Sequence, residues 1–515
     1  MKRSIVGKIA AVSLSAVIAL GIGSIFGRTA KAAGTAEEKE PNDSVISANS
    51  ATAETEYYGS IKKDSGNDID YYKFVLSSPG RISITSYADF DLTFQLYDAE
   101  ETKLDGSTYW NGEKRASYDL TAGTYYFRLS GTWNDTGNYH FYYRFASAGE
   151  SFPDKGNGSN NMISKANTIT TGKVYKGQFA ITDTIDYFKL VLDQPGKLNL
   201  TTNSEYYLAL TIFDSKENKV YGTGYNPLNG EGKREITLPK GTYYLEFNPY
   251  YSDTGNYNFK LVFNGIKFAG SEKSVVCGDT MNLSLENVDS DWKVTWKSSN
   301  AAIAQVTDGR VLANKAGSVT IMATVQGKKV SRKIQVLYKD VTDSSKFWYT
   351  PTNTLTNKSI VQGYDKQTTF KPGKNCTRAQ MVTFLWRLKG TPNPKSSTTA
   401  FKDVKKGSYY YKAVIWAVER GITTGYSKTS FKPDNVCTRA QTVTFLWRMA
   451  GKPAPKTKTN PFTDVKKKDY FYNAVLWASE KKIVAGYKDK TFKPQGKCLR
   501  RQMVTFLYKY SQNVK

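Results

Sequence analysis

The chain writes nearly the same line three times: "NCTRAQMVTFLWRLKG" from Asn375, "NVCTRAQTVTFLWRMAG" from Asn435 and "KCLRRQMVTFLYKYSQ" from Lys497. Cys376, Cys437 and Cys498 are 61 residues apart, as are Asp403 and Asp464, Trp416 and Trp477, and Gly425 and Gly486. A fixed period of this length means tandem modules. Each complete copy predicts two helices around a turn. In the second copy "SYYYKAVIWAVERGI" puts Val414, Ala417 and Val418 on one face and stops at Gly421, while "GYSKTSFKPDNVC" carries loop residues. Thr438-Arg439-Ala440-Gln441 then forms a capping box, followed by Val443, Leu446, Trp447 and Ala450 at helical spacing. An arginine therefore stands in the first turn of a helix, where free N–H groups and a partial positive charge suit a carboxylate or phosphate. Bridging of neighbouring helices by the same arginines is the alternative.

Charge follows the repeats. Residues 338–515 hold about 35 Lys and Arg against about 10 Asp and Glu, so about 25 of the net +26 lies in that third. Such a segment calls for a polyanion. The polyanion expected is a wall polymer and not nucleic acid, because the chain reads as exported. Lys2, Arg3 and Lys8, an apolar run from Ile9 to Phe26 and Ala30-Lys31-Ala32 form a secretory signal over residues 1–32. No later run is apolar enough to span a bilayer, and no hydrophobic tail or sorting sequence closes the chain, so release or non-covalent retention, without membrane attachment after cleavage, is expected. Three of the 4 Cys share one repeat position and Cys277 stands alone, which argues against a disulfide framework and for small buried residues.

The landmarks F-x-D-V, a W-A helix, G-I-T-x-G-Y, the F-x-P loop and T-R-A-Q resemble an S-layer homology (SLH) repeat. The resemblance places repeats at 338–391, 401–452 and 461–512 and implies a pseudo-threefold unit of α-helical repeats. It also implies a function: non-covalent anchoring to the wall through an anionic, pyruvylated secondary wall polysaccharide. The family's arginine falls on Arg378, Arg439 and Arg500, its opening Asp on Asp340, Asp403 and Asp464, and its Gly-Tyr on Gly363-Tyr364, Gly425-Tyr426 and Gly486-Tyr487. Trp416 and Trp477 read as core. The family's Glu is Gln in every copy, Leu499 replaces the capping Thr in the third, and Thr354 replaces Trp in the first, whose Thr/Asn-rich helix is weak on propensity.

A longer repeat precedes these. "DYYKFVLSSPGRISI" from Asp70 answers to "DYFKLVLDQPGKLNL" from Asp186, and "DTGNYHFYYRF" to "DTGNYNFKLVF", so residues 37–147 and 154–264 are two copies of one domain. Alternating strand residues with Gly and Pro turns predict antiparallel β-sandwiches. "EPND", D-x-D-Y-Y-x-F, the P-G turn, G-T-Y-Y and G-N-Y resemble the jelly-roll-like pre-peptidase C-terminal domain. Glu38, Glu40, Asn42, Asp43, Asp68 and Asp70 offer oxygen ligands of the kind Ca²⁺ takes; an acidic solvated segment fits the same residues. The second copy opens "DKGNGSNN" and lacks the glutamates. Residues 265–337 resemble a bacterial immunoglobulin-like sandwich and read as a spacer.

The single histidine, His140, lies in the alternating stretch "GNYHFYY", and no G-x-S-x-G, HExxH or Walker A line occurs. A non-enzymatic surface protein that displays its sandwiches to a host or environmental glycan or matrix protein is the leading reading; Tyr206-Tyr207 and Tyr250-Tyr251 are candidate stacking residues. The alternative is a wall-associated carbohydrate-active enzyme, or an accessory subunit of a secreted hydrolase, since a glycosidase needs only a carboxylate pair.

Overall fold

The computed structural model describes residues 34–514 except 64–67, 106–107, 134, 148–159, 182, 224–227, 250–253 and 458. The signal segment, most of the second module's opening and Tyr250-Tyr251 lie outside the described residues. The chain divides into two compact units. The first holds the two N-terminal β modules up to Val262, and the second runs from Phe263 onward and takes in Leu192–Leu198 and Glu235–Lys240.

In the first module the strand Gly80–Tyr97 organises everything else. Its residues 80–88 pair with Gly137–Ser147, and its residues 92–97 pair with Gly123–Gly131. The first partner continues to Thr55–Ile61 and the second to Ile69–Leu76, giving two arms. Period-two alternation buries Asp70, Tyr72, Phe74 and Leu76 of the last strand. The inner faces meet through aromatic rings: Tyr72 lies 4.8 Å from Phe141 and 5.6 Å from Tyr57, and Phe127 lies 5.8 Å from Phe141. Each ring so buried stabilises the module by about 1.5–3 kcal/mol.

The long strands pair antiparallel, as expected. The short ones do not: Gly34–Glu37 adds to Thr55–Ile61, and Asn49–Ser50 to Ile69–Leu76, in parallel. Both occupy hydrogen-bonding groups that a sheet edge would otherwise leave open. The second module repeats the plan, with Val174–Phe179 against Gly255–Gly265, Gly196–Asp214 against Gly241–Pro249, and a parallel edge strand Asn167–Ile169.

The second unit begins with the immunoglobulin-like strands. Four form one sheet in the order Ser274–Val276, Lys328–Leu337, Gly317–Val325, Val294–Ser298, and three form another around Arg310–Ala313. Among the described residues six α-helices follow: α1 Tyr349–Asn357, α2 Arg378–Leu388, α3 Tyr411–Glu419, α4 Arg439–Met449, α5 Tyr472–Glu480 and α6 Arg500–Asn513. Their packing is cyclic. α2 packs on α3, α4 on α5 and α6 back on α1, while α2, α4 and α6 meet one another.

The β strands and helices share one hydrophobic core that runs from Val319 and Ile334 through Tyr338 to Leu355 and Ile360. Ala316 N donates to Gln367 O at 3.0 Å, and Gln367 Nε2 donates back to Ala316 O at 2.7 Å. The segment expected to be a spacer is thus continuous with the first repeat. Packing against α6 and the strand Gly317–Val325 explains how α1 forms from poor helix formers: it buries Leu355 and Thr356, and Pro351 sits in the first turn, where its missing N–H costs little. Trp416 and Trp477 are buried, and the four cysteines are free and buried.

Candidate functional site

The repeats close into a ring at their cysteines. Cys437 N donates to Cys376 O, Cys498 N to Cys437 O and Cys376 N to Cys498 O, each at 2.9 Å. This threefold arrangement of backbone bonds fixes where each following helix starts. The capping boxes form at Thr377 and Thr438 as expected. The N–H groups of the next two residues point at the neighbouring repeat's F-x-P loop. Arg378 N donates to Asn435 O and Ala379 N to Pro433 O; Arg439 N donates to Gly496 O and Ala440 N to Pro494 O; Arg500 N donates to Lys374 O and Arg501 N to Pro372 O. The helix N-termini are therefore already occupied by carbonyl oxygens, which corrects the expectation of free N–H groups awaiting an anion. The same bonds hold the third helix start, where Leu499 offers no side-chain cap.

Each arginine side chain reaches across the same boundary. Arg378, Arg439 and Arg500 are buried, and their Nε atoms donate to Phe431 O at 2.9 Å, Phe492 O at 2.8 Å and Phe370 O at 2.8 Å. Arg439 and Arg500 add a bond each through a terminal nitrogen, to Ala485 O at 3.3 Å and Gln362 O at 2.8 Å. The guanidinium of Arg439 lies over Tyr487, Phe492 and Phe506, and that of Arg500 over Tyr364, Phe370 and Phe384. Burial pulls all three guanidinium pKa values down, and neighbouring tyrosines and cysteines oppose the shift. An arginine nevertheless keeps its charge in a protein. Of the two roles open in the sequence, bridging is the one these bonds describe.

The opening aspartates also hold the loops. Asp403 accepts from Phe431 N at 2.8 Å, Lys432 N at 2.8 Å and Ser430 Oγ at 2.7 Å. Asp464 accepts from Phe492 N and Lys493 N, both at 2.7 Å, and Asp340 does the same in the first copy. Gly425 has φ of 84° and touches Phe401 so closely that any side chain would collide with the ring; Gly486 meets Phe462 in the same way.

These contacts leave one part of each boundary open. Tyr426 and Tyr487 are exposed, and the lysine of each F-K-P loop lies over the tyrosine ring: Lys432 at 3.8 Å from Tyr426, Lys493 at 4.4 Å from Tyr487 and Lys371 at 5.1 Å from Tyr364. A second exposed aromatic recurs at matching places, Phe347, Tyr409 and Tyr470. Sequence reasoning passed over these; their spacing of 62 and 61 residues was the signal.

In the first β module Glu38, Glu40 and Asp70 bring carboxylate oxygens within 4.8 Å of one another. Tyr139 Oη lies 2.5 Å from Asp70 Oδ2 and 3.1 Å from Glu38 Oε2, so its one hydroxyl proton serves this carboxylate pair. Asp70 Oδ1 and both amide atoms of the fully buried Asn42 have no hydrogen-bond partner. Burial, above all, pushes the Asp70 carboxyl up to about 8; the Tyr139 hydroxyl opposes this, and Glu38, Asp68 and Glu40 add to it. Glu40 is raised as well, again first by burial. Converging carboxylates beside an orphan amide oxygen make a donor set that fits a hard cation. Asp43 and Asp68 stand apart, engaged by Ile69 N at 3.3 Å and Lys62 N at 2.6 Å. The second module keeps an equivalent asparagine, aspartate and tyrosine: Tyr187 N donates to Asn160 O, and Tyr257 Oη to Asp186.

Comparison with known proteins assigns the repeats. The S-layer homology domain matches residues 337–382, 400–443 and 461–504, and the bacterial Ig-like domain (group 2) matches residues 262–348. The chain is similar to the cellulosome-anchoring protein of Acetivibrio thermocellus, 31% identical over 150 residues that cover 27% of this chain and 32% of the relative. It is also similar to an endoglucanase of Bacillus sp. (strain KSM-635), 34% identical over 126 residues that cover 24% of this chain and 13% of the relative. The chain thus spans a third or less of these relatives' own length. A pre-peptidase C-terminal domain of collagenase from Bacillus anthracis aligns over its whole length with 20% of this chain, at 18% identity and a TM-score of 0.18. No helix among the described residues is long and apolar enough to cross a membrane.

Proposed function

We propose that this chain, a secreted, cell-wall-associated protein carrying three S-layer homology domains and a bacterial Ig-like domain, is held on the wall by an anionic secondary polysaccharide seated at the boundaries between its repeats. The observation that carries the reading is the exposed Tyr-Lys pair at two of the three boundaries, Tyr426 with Lys432 and Tyr487 with Lys493, lying beside a buried guanidinium. The tyrosine face offers apolar contact to a sugar ring. The lysine supplies a mobile charge for a carboxylate such as a pyruvate ketal, and the arginine adds a fixed charge in a low-dielectric setting. Arg378, Arg439, Arg500, Asp403, Asp464, Gly425 and Gly486 act here mainly by fixing that surface.

The β modules are then displayed outward as binding modules and not as an enzyme. The first of them is proposed to hold Ca²⁺ through Glu38, Glu40, Asp70 and the Asn42 amide oxygen, where the ion would neutralise carboxylates that now repel one another. Co-sedimentation of the full chain with purified walls tests the anchoring. Binding should vanish after chemical removal of the secondary polymer, and full binding to stripped peptidoglycan would refute the ligand. Because one relative is an endoglucanase, the same preparations should be assayed for release of reducing sugars from wall and plant glycans; release would favour the enzymatic alternative.

A further inference from the structure

The three repeat boundaries share a plan, but the one between Arg378 and the Phe431 loop departs from the other two at a single backbone turn. Thr423 stands where the first and third copies have Val361 and Val484. Its side chain is buried, and its hydroxyl accepts from Gly425 N at 3.2 Å. Gly425 has φ of 84°, whereas Gly363 and Gly486 stay outside the left-handed region. The peptide between Thr424 and Gly425 is thus turned over relative to its counterparts, and its carbonyl is withdrawn from the arginine. Arg439 and Arg500 each bond the equivalent carbonyl through a terminal nitrogen, Ala485 O at 3.3 Å and Gln362 O at 2.8 Å. Arg378 bonds Phe431 O through Nε alone. Among the described residues neither of its terminal nitrogens has an acceptor, although Arg378 is only 4% exposed.

The groups around the guanidinium diverge in the same sense. Tyr487 and Tyr364 lie against the guanidinium groups of Arg439 and Arg500 at 5.0 Å and 4.7 Å, and their hydroxyls accept from Gln502 Nε2 at 3.2 Å and Gln380 Nε2 at 2.7 Å. Arg378 is flanked by Phe431 and Phe445 instead, so Tyr426 is left 60% exposed, its hydroxyl unbonded among the described residues. Lys493 and Lys371 face carboxylates of their own loops, Asp489 at 3.7 Å and Asp365 at 3.1 Å. The second copy has Ser427-Lys428-Thr429 in that stretch, and Lys432 has no carboxylate partner among the described residues. Asp340, Asp403 and Asp464 are common to all three boundaries and are held by loop amides, so they do not distinguish them.

We propose that the boundary of Arg378, Tyr426 and Lys432 is the one seat for the wall polysaccharide, taking a single carboxylate-bearing sugar residue, and that the other two boundaries are closed by their own carbonyls and carboxylates. The inference rests on the anchoring reading and narrows it to one site. Two terminal guanidinium nitrogens in one plane match the two oxygens of a carboxylate, and Lys432 adds a second positive charge. A buried guanidinium without acceptors is costly in the free protein, so an anion that supplies them relieves that cost on binding. At the other boundaries Ala485 O and Gln362 O already satisfy the fork, and Asp489 and Asp365 repel an incoming anion. Thr423 acts as a positioning residue: it touches no ligand and holds the turned peptide that leaves Arg378 open.

Calorimetry of the full chain with short oligosaccharides released from purified walls tests this, and one fragment should bind per chain. Amidation of the fragments' carboxyl groups should abolish binding; binding that survives amidation would assign the anion to phosphate and overturn the carboxylate. Thr423→Val, which gives the second copy the residue type of the other two, should return the Thr424 carbonyl to Arg378 and weaken binding about tenfold or more, with the melting temperature unchanged or raised. Lys428→Asp, an exposed change that reproduces Asp489 in register, should pair with Lys432 and weaken binding severalfold. Two or three fragments per chain, none at all, or wild-type affinity in Thr423→Val combined with Lys428→Asp overturns the single seat. Wall co-sedimentation of the same preparations separates the two readings. Polymer-dependent wall binding with two or three fragments per chain removes the single seat and leaves the anchoring intact, whereas undiminished binding to polymer-stripped walls removes both.

Discussion

Arg500 Nε donates to the carbonyl of Phe370 at 2.8 Å across 130 residues of sequence, tying the last repeat to the first. The bond closes a ring that the arginines of the other two copies only continue. Arg500→Ala removes two charge-assisted bonds and leaves a cavity lined by Tyr364, Phe370 and Phe384. The expected loss is about 3 kcal/mol or more. Arg500→Lys should recover little of it, because an ammonium cannot reproduce the planar fork that bonds two carbonyls while stacking on rings. Thermal unfolding of the full chain reads both variants. A lower melting temperature with wall binding retained at temperatures where the variant is folded would mark Arg500 as structural, whereas unchanged melting with lost binding would mark it as a ligand contact.

Asp403 gives the second unit an acid limit. Burial by itself would raise its pKa, but the N–H groups of Phe431 and Lys432 and the Ser430 hydroxyl outweigh that and hold it below the ordinary value. A carboxylate depressed in the folded state contributes stability above its unfolded pKa, and that contribution is lost as pH falls through the folded one. Wild type should therefore lose melting temperature below about pH 4. Asp403→Asn should be less stable at neutral pH and show a flatter acid limb. Parallel limbs for the two proteins would mean that Asp403 is not a source of the acid transition.

Much of this architecture was legible because it is periodic. Helix starts at Arg378 and Arg439 follow from local capping chemistry, and the β modules from two-residue alternation, both of which a single segment reveals. What the arginines bond to was not legible, because the acceptors are carbonyls 46 to 138 residues away whose position depends on ring closure. The first helix was legible as one that needs its neighbours, since Thr and Asn are poor helix formers alone; which neighbours was not, and they are the third repeat and the strand Gly317–Val325. In the acidic cluster the sequence offered six candidates. Only folding showed that Glu38, Glu40 and Asp70 converge while Asp43 and Asp68 are spent on backbone N–H groups.

That convergence carries a metal prediction. Calcium should raise the melting temperature of the full chain in a concentration-dependent way, by the equivalent of about 2.7 kcal/mol at a hundredfold excess over Kd. Hydrogen exchange should place the added protection in residues 34–147 and not in 160–264. Glu38→Gln with Glu40→Gln should abolish the shift, while Asp43→Asn should reduce it little. Equal protection of both modules, or persistence of the shift in the double variant, would count against this site.

The thiols report whether the second unit unfolds as one body. Cys376, Cys437 and Cys498 lie on the ring of backbone bonds, and Cys277 lies in the turn after the immunoglobulin-like strand Ser274–Val276, facing Gln367 O at 3.9 Å. Burial pushes Cys277 and Cys437 to about 11 and Cys498 to about 12, and holds Cys376 well above its ordinary value. Since the thiolate is the reacting species, an aromatic disulfide reagent at about pH 8 should label none of the four in the native chain. With rising denaturant all four should become reactive in a single phase, because Cys277 and the repeat cysteines belong to one core. Gln367→Ala, which removes the bond to Ala316 O, should split that phase and release Cys277 first. Early labelling of Cys277 in the wild-type chain would show instead that the immunoglobulin-like segment opens independently of the repeats.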